Sequence, residues 1–166
     1  MHGCYKDKRS LNTFMQLTRA ADYAVRVMVH LAGLPPSARV SRGDLSVAAD
    51  CPEQFLAKVL QSLTRAGLVI SHRGNTGGFE LDDAHRSASV LEVIEAIEGP
   101  IRLNHCLTSD HACSRQTWCP AHTVWGNAQE AMIAVLRAAT IDVLAERAAI
   151  ARQPAAGIRI EEQLWN

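Results

Sequence analysis

Three closely spaced cysteines are the residues of this sequence best suited to chemistry. Cys106, Cys113 and Cys119 fall within fourteen residues at a C-x6-C-x5-C spacing. Thiolates bind zinc or iron–sulfur clusters, and three of them on one loop supply three ligands of such a site. The spacing lacks the C-x2-C pairs of ordinary zinc knuckles, which favours an iron–sulfur cluster. A structural zinc site and a metal-free thiol redox sensor remain open as alternatives.

A site with three cysteines needs a fourth ligand or keeps an open position. Candidates in or beside the loop are His105, Asp110, His111 and His122. Asp22 is a further candidate, because a carboxylate on the first predicted helix can enter the site from elsewhere in the fold or from a partner subunit. The simpler interpretation of Asp22 is an i, i+4 ion pair with Arg26.

The elements that position this loop are mainly helical. Apolar residues recur at helical spacing from Leu17 to about Gly33, then over 42–49 behind a Ser41 N-cap, and then from Pro52 to Gly67. Strands at 68–70 and 79–81, joined by a glycine-rich turn, predict a β-hairpin, and a fourth helix covers 88–98. We therefore expect a mainly α fold with a small β-hairpin, in the order of a winged helix-turn-helix.

This fold predicts a DNA-binding surface. The second helix of a helix-turn-helix enters the major groove, while a wing reaches the backbone or the minor groove. The exposed polar candidates are Gln54, Lys58 and Gln61 on the third helix, and His72, Arg73, Asn75 and Thr76 in the hairpin. The alternative is a winged-helix module that makes only protein contacts.

A long apolar stripe follows the cysteine loop and predicts one helix over 123–150. Such a helix is about 40 Å long, which is more than a small domain covers alone, so we expect it to pack against its own copy in a homodimer. The predicted organisation is a flexible extension (1–14), a winged-helix domain (15–100), a cluster-binding loop (101–122), a dimerisation helix (123–150) and a tail (151–166).

Composition narrows the class of protein. Basic and acidic residues number 17 each, and 48% of the 166 residues are hydrophobic. These values are typical of a globular domain and argue against wholesale disorder and against a polycationic nucleic-acid coat. The sequence has neither an apolar run of about 18 residues nor a secretory signal, so we expect a cytoplasmic protein with reduced thiols and no membrane partner. No catalytic motif is present, and we expect no enzyme activity.

Several of these segments together resemble the Rrf2 family of bacterial transcription regulators. They are MQLTRAADYAVRVMVHLA, FLAKVLQSLTRAGLVISHRGNTGGFEL and VLEVIEAIEGP, followed by the three-cysteine loop and the long helix. The resemblance covers residues 15–147 with the order of elements intact. Its most specific part is AGLV followed by RG-x-x-GG and an aromatic residue.

The resemblance implies a homodimeric repressor or activator that binds a palindromic double-stranded DNA operator. An iron–sulfur cluster, [2Fe–2S] or [4Fe–4S], held by the three cysteines would switch operator affinity in response to nitric oxide, redox state or iron–sulfur status. The base-contacting positions correspond to Gln54, Ala57 and Lys58, and the wing arginine to Arg73. Ala57 cannot form a hydrogen bond to a base.

The resemblance also implies two possible fourth ligands. Nitric-oxide-sensing members use a carboxylate on the first helix of the opposite subunit, and Asp22 occupies that position. Members that monitor cluster assembly use a histidine three residues after the third cysteine, which corresponds to His122. The six-residue first gap of the cysteine loop is longer than the five residues common in both branches, so neither loop geometry carries over directly.

Overall fold

The computed structural model describes residues 17–74, 77–109 and 113–152. Its helices are α1 (Arg19–Ala32), α2 (Arg42–Ala49), α3 (Glu53–Arg65), α4 (Val90–Glu98), α5 (Pro120–Ala138) and α6 (Ile141–Arg152). Its strands are β1 (Val69–His72) and β2 (Gly78–Leu81). The mainly α fold with one hairpin is confirmed. The predictions for the 1–14 extension, for residues 153–166 of the tail, and for Asn75, Thr76, Asp110 and His111 lie outside the described residues.

The core of the winged-helix domain forms around α1. The Thr18 side chain caps this helix by accepting a hydrogen bond from the Ala21 backbone N–H, and the apolar face of α1 is buried. Met28 and Leu31 of α1 pack in one cluster with Leu56 and Leu60 of α3. Burial of side chains of this size contributes about 1.5–3 kcal/mol each, so a single chain stabilises this domain.

Helices α2 and α3 form the predicted helix-turn-helix. Ser41 caps α2 through the Asp44 backbone N–H, as expected. Asp50 ends α2 in the left-handed conformation, with φ at 50°. Pro52 is the N-cap of α3 rather than part of its first turn. A tight turn between the two helices leaves the outer face of α3 open to a ligand.

The hairpin is antiparallel, with Val69 opposite Leu81 and His72 opposite Gly78. Val40 adds one further bridge to β2 at Phe79. A Cβ on Gly78 would lie 2.8 Å from the Val40 carbonyl oxygen, and one on Gly77 would lie 2.5 Å from that of His72. The two glycines are therefore required by close backbone approaches within the wing.

The single helix predicted over 123–150 is divided in two. Ala139 has extended backbone angles, φ −85° and ψ 116°, and its carbonyl oxygen accepts a hydrogen bond from the Val90 N–H at 2.8 Å. The Ile141 N–H donates to the Ala88 carbonyl oxygen at 2.9 Å. Helix α5 thus ends where its chain pairs with the segment before α4, and its 19 residues span about 28 Å. The apolar period runs across this break and gives no sign of it.

The restart of the helix as α6 has a local cause. The Asp142 carboxylate accepts hydrogen bonds from the Ser87 hydroxyl at 2.6 Å, from the Thr140 hydroxyl and from the Val143 N–H. These bonds, that of Ser87 first, lower the pKa of Asp142. Helix α6 then packs against α1 with Ile141 buried. None of the helices in the described ranges is both long enough and apolar enough to cross a membrane.

Candidate DNA-binding surface and cysteine loop

Helix α3 separates its apolar and polar residues onto opposite faces. Its inner face buries Leu56, Val59, Leu60 and Leu63. Gln54, Lys58 and Gln61 are exposed and follow one another at i, i+4 and i+7, so they share one stripe of the outer face. Ala57 lies between these side chains and is half-buried. The three predicted contact residues of the helix therefore stand together on an accessible surface.

A groove of 440 Å³ separates α3 from the hairpin. Its polar and charged lining residues are Arg42, Gln61, Thr64, Arg65 and Ser71. Arg42 at the start of α2 also pairs with Glu53 at the start of α3, with its Nε 2.7 Å from Oε1. The groove joins the outer face of α3 to the wing in one polar surface that carries cationic side chains.

The described part of the wing presents Arg73 to solvent, next to Gly74 with φ at 104°. His72 is half-buried, and its Nε2 lies 2.7 Å from Oε2 of Glu80. Glu80 is a functional candidate that the sequence analysis missed. The pairing register places it on the same face of the hairpin as Ile70 and His72, and the sequence alone does not define that register.

The cysteine loop begins after α4 and ends at α5. Cys106 lies in a 3-10 turn (His105–Leu107) that packs against α5, and Cys119 is the N-cap residue of α5. The Leu103 N–H donates to Oε1 of Gln129 at 2.9 Å, which ties the start of the loop to α5. Cys113 is the first residue described after the gap, and its carbonyl oxygen accepts from the Gln116 N–H.

All three loop thiols are free and half-buried. Within the described ranges, no group of three or more His, Cys, Asp or Glu side chains is arranged to hold a metal ion. The donor types nevertheless fit a cluster, since three thiols lie on one loop and Nδ1 of His122 is buried without a hydrogen-bond partner. Residues 110–112, which belong to the segment between Cys106 and Cys113, lie outside the described residues.

Asp22 is half-exposed on α1, and its Oδ2 lies 2.7 Å from Nη2 of Arg26. The ion pair expected from the i, i+4 spacing is therefore present within the chain. The role of Asp22 as a ligand donated to a partner subunit stays a prediction.

Cys51 differs from the loop cysteines because it belongs to the hydrophobic core. Its side chain is buried at the turn between α2 and α3, and burial raises the pKa of its thiol. A raised pKa keeps the thiol protonated and unreactive at neutral pH. Cys51 is therefore a structural residue of the core.

The order of the elements and the position of the loop agree with a comparison against known families. A sequence model of the Rrf2 family, described as an iron-dependent transcriptional regulator, matches residues 17–147. The chain belongs to the Rrf2 family.

Individual relatives agree with this assignment. Rv1287 of Mycobacterium tuberculosis, a candidate HTH-type transcriptional regulator, is 40% identical to this Rrf2 protein over 87 residues, or 52% of this chain and 54% of the relative. The match thus spans about half of that relative's length. Among solved structures, T. potens IscR is 26% identical with a TM-score of 0.62, and the match covers 86% of this chain and 94% of IscR. Staphylococcus aureus CymR is 25% identical with a TM-score of 0.61, over 78% of this chain and 97% of CymR.

Family membership makes the protein a transcriptional regulator of the Rrf2 type and not an enzyme. The outer face of α3 is exposed, and its contact with DNA stays a prediction.

Proposed function

We propose that this Rrf2 protein is a homodimeric repressor whose operator affinity is set by an iron–sulfur cluster bound to Cys106, Cys113 and Cys119. The observation that carries the proposal is the position of these thiols. They lie on the loop that links the winged-helix domain to α5, and the last of them begins α5 itself. Family membership adds an iron-dependent regulator as the class description.

DNA reading is assigned to α3 and the wing. Gln54 and Gln61 suit the hydrogen-bonding edge of adenine, while Lys58 and Arg73 suit guanine or phosphate. Asn75 and Thr76 of the wing belong to the same proposed surface. Because the described chain has no broad excess of basic charge, specificity rests on these side chains and on docking both half-sites of an operator about 34 Å apart.

Dimerisation is assigned to the face of α5 that points away from α4. The face toward α4 contributes Met132, Ile133 and Leu136 to the packing around Leu91 and Ile94. The opposite stripe contains the exposed residues Val124, Ala128, Ala131, Val135 and Ala138. An apolar stripe on a helix is covered when the helix packs against a second helix of the same kind. A second copy of this chain supplies that helix.

The three thiols and one further group would hold the cluster. His122 supports the role of fourth ligand through its buried, unpartnered Nδ1, and Asp22 of the opposite subunit is the alternative. A bound cluster would supply iron–thiolate bonds, which oxidation or nitrosylation would break. The loop that connects α4 to α5 would be held in place when its thiols bind the cluster and released when they do not. A small rotation between the two halves of a dimer then prevents simultaneous docking of both α3 helices.

The test begins with the visible absorption spectrum of anaerobically purified protein, with iron and acid-labile sulfide assayed on the same sample. We expect a coloured protein that contains both. Operator affinity is then measured anaerobically on a duplex obtained by in vitro selection. Cys106→Ala, Cys113→Ala and Cys119→Ala should each lose the spectrum and change operator affinity, whereas Cys51→Ala, which removes a thiol outside the loop, should keep both.

Two outcomes would replace the cluster. Protein that contains zinc and stays colourless after anaerobic reconstitution would make the site structural. Metal-free protein whose operator binding responds to peroxide would make the loop a thiol sensor. If all three loop variants bind the operator like the unmodified protein, the loop has no role in switching.

A further inference from the structure

Glu80 lies at the centre of a charged row across the base of the wing. The register places Glu80 opposite Ile70 of β1, and the bridge between Val40 and Phe79 makes Arg39 its neighbour on the other side. Oε2 of Glu80 lies 2.7 Å from Nε2 of His72 and 3.5 Å from Nε of Arg39. One carboxylate oxygen therefore contacts groups from β1 and from the segment before α2.

The burial of this carboxylate indicates that the contacts matter. The Glu80 side chain is 14% exposed, whereas that of Glu53, at the start of α3, is 50% exposed. A carboxylate withdrawn from water is stable when cationic or hydrogen-bonding partners replace its hydration. Arg39 supplies a permanent positive charge, and His72 interacts favourably when its Nε2 carries a proton.

This row adjoins Arg73, the proposed DNA contact of the wing, in the chain. Arg73 follows His72 directly, and Gly74 follows Arg73 with φ at 104°. Beyond Arg73 the chain turns at Gly74, whose carbonyl oxygen accepts a hydrogen bond from the Gly77 N–H at 3.0 Å. The residue before Arg73 is His72, whose backbone pairs with Gly78 and whose side chain contacts Glu80.

We propose that Glu80 is a positioning residue for DNA binding, which holds His72 and thereby orients Arg73 toward the operator. This inference rests on the proposed role of Arg73 as a wing contact. Glu80 itself does not contact DNA. A carboxylate near DNA normally repels phosphate, so simple electrostatics predicts that removing its charge tightens binding. The positioning role predicts the opposite sign.

The test is a double-mutant cycle on operator affinity with the full-length protein. Glu80→Gln keeps the size of the side chain and removes its charge. We expect about three- to tenfold weaker binding, within the range of coupling between neighbouring residues. The same substitution should have almost no further effect in an Arg73→Ala background and its full effect in a Lys58→Ala background. A general loss of structure would weaken binding equally in both.

Two variants complete the design. Glu146→Gln is the matched control, because it removes an exposed carboxylate on α6, outside α3 and the wing, and its binding should be unchanged. His72→Asn breaks the row at its other end and should reproduce the pattern even if Glu80→Gln fails to fold. Tighter or unchanged binding by both wing variants, with Arg73→Ala still weakened, would overturn the positioning role alone. An Arg73→Ala protein that binds normally would overturn both this role and the assignment of the wing to DNA.

Discussion

Helices α3 and α5 are both amphipathic, but their apolar residues have different surroundings. The 13 residues of α3 include four that are buried by the rest of the chain. The 19 residues of α5 include none. Val124 of α5 is 60% exposed and Val135 is 70% exposed, whereas Leu56 of α3 is fully buried.

The difference shows that one chain buries the apolar face of α3 but leaves an apolar stripe of α5 exposed. The winged-helix domain encloses its own core, so the exposed face of α3 is positioned by contacts within one chain. Helix α5 has one side on α4 and an apolar stripe in solvent, and the cysteine loop before it has three free thiols. We therefore expect substitutions on the buried face of α3 to act on folding and substitutions on the exposed apolar stripe of α5 to act on assembly.

The largest effect on stability should come from a cavity in the core of the winged-helix domain. Leu56→Ala should lower the free energy of unfolding by about 2–5 kcal/mol, because a fully buried leucine leaves a cavity that the core cannot fill. Urea denaturation monitored by circular dichroism measures this change. Val47→Ala, at a position on α2 that is 83% exposed, is the control and should change stability by less than about 0.5 kcal/mol. Equal effects of the two variants would contradict the assigned core.

A charge on the exposed stripe of α5 should act on dimerisation. Val135→Glu places a carboxylate where we propose that two α5 helices meet, and should weaken the dimer about 100-fold, or about 2.7 kcal/mol. Sedimentation equilibrium measures the dissociation constant, and circular dichroism should show retained helix. Thr123→Glu adds the same carboxylate at an exposed position off the apolar stripe and should leave the dimer intact. A Val135→Glu protein that remains a dimer would place the interface elsewhere.

The sequence predicted the winged-helix domain well because its signals are local. Ser41 capped α2 as expected, and the glycines of the hairpin marked the turn at which the strands meet. The break between α5 and α6 was not predictable from periodicity, since it depends on backbone pairing with Ala88 and Val90, about fifty residues earlier.

The site shows the same limit. The exposure of Gln54, Lys58 and Gln61 follows from helical periodicity on α3 and is confirmed, while their contact with DNA stays a prediction. Glu80 was missed because its partners come from two other segments, and only the strand register brings Arg39 and His72 to it. Cross-strand charge pairs require a register, which a sequence with a short hairpin leaves undefined.

The capping box of α4 should give a smaller effect that depends on pH. The Ser89 N–H and hydroxyl both lie 2.7 Å from Oε2 of Glu92, and the Glu92 N–H donates to the Ser89 hydroxyl oxygen. The bonds from the Ser89 backbone and hydroxyl lower the pKa of Glu92. Ser89→Ala should cost about 1 kcal/mol of unfolding free energy near neutral pH.

The sign of the pH dependence follows from the lowered pKa. The stabilisation by ionised Glu92 is fully present above the pKa of the unfolded chain, about 4.3, and is lost as the pH falls through the lower pKa of the folded state. The difference between unmodified protein and Ser89→Ala should therefore shrink when urea denaturation is repeated at pH 3. Glu92→Gln keeps a capping side chain without a titrating group. Measured against Glu92→Gln instead of the unmodified protein, the cost of Ser89→Ala should vary less with pH.

The smallest effect on stability should come from Asp22 on α1. Asp22→Asn removes a half-exposed ion pair on α1 and should cost about 0.3–0.5 kcal/mol. Arg26→Gln breaks the same pair and also loses the hydrogen bond from Nη1 to the Ala49 carbonyl oxygen, so it should cost more. If Asp22 is the fourth ligand, Asp22→Asn should change the visible spectrum of the anaerobic protein, whereas the more destabilising Arg26→Gln should leave it unchanged. The reading domain would then complete the cysteine site of its partner. An unchanged spectrum for Asp22→Asn and an altered one for His122→Ala would assign the ligand to α5 instead.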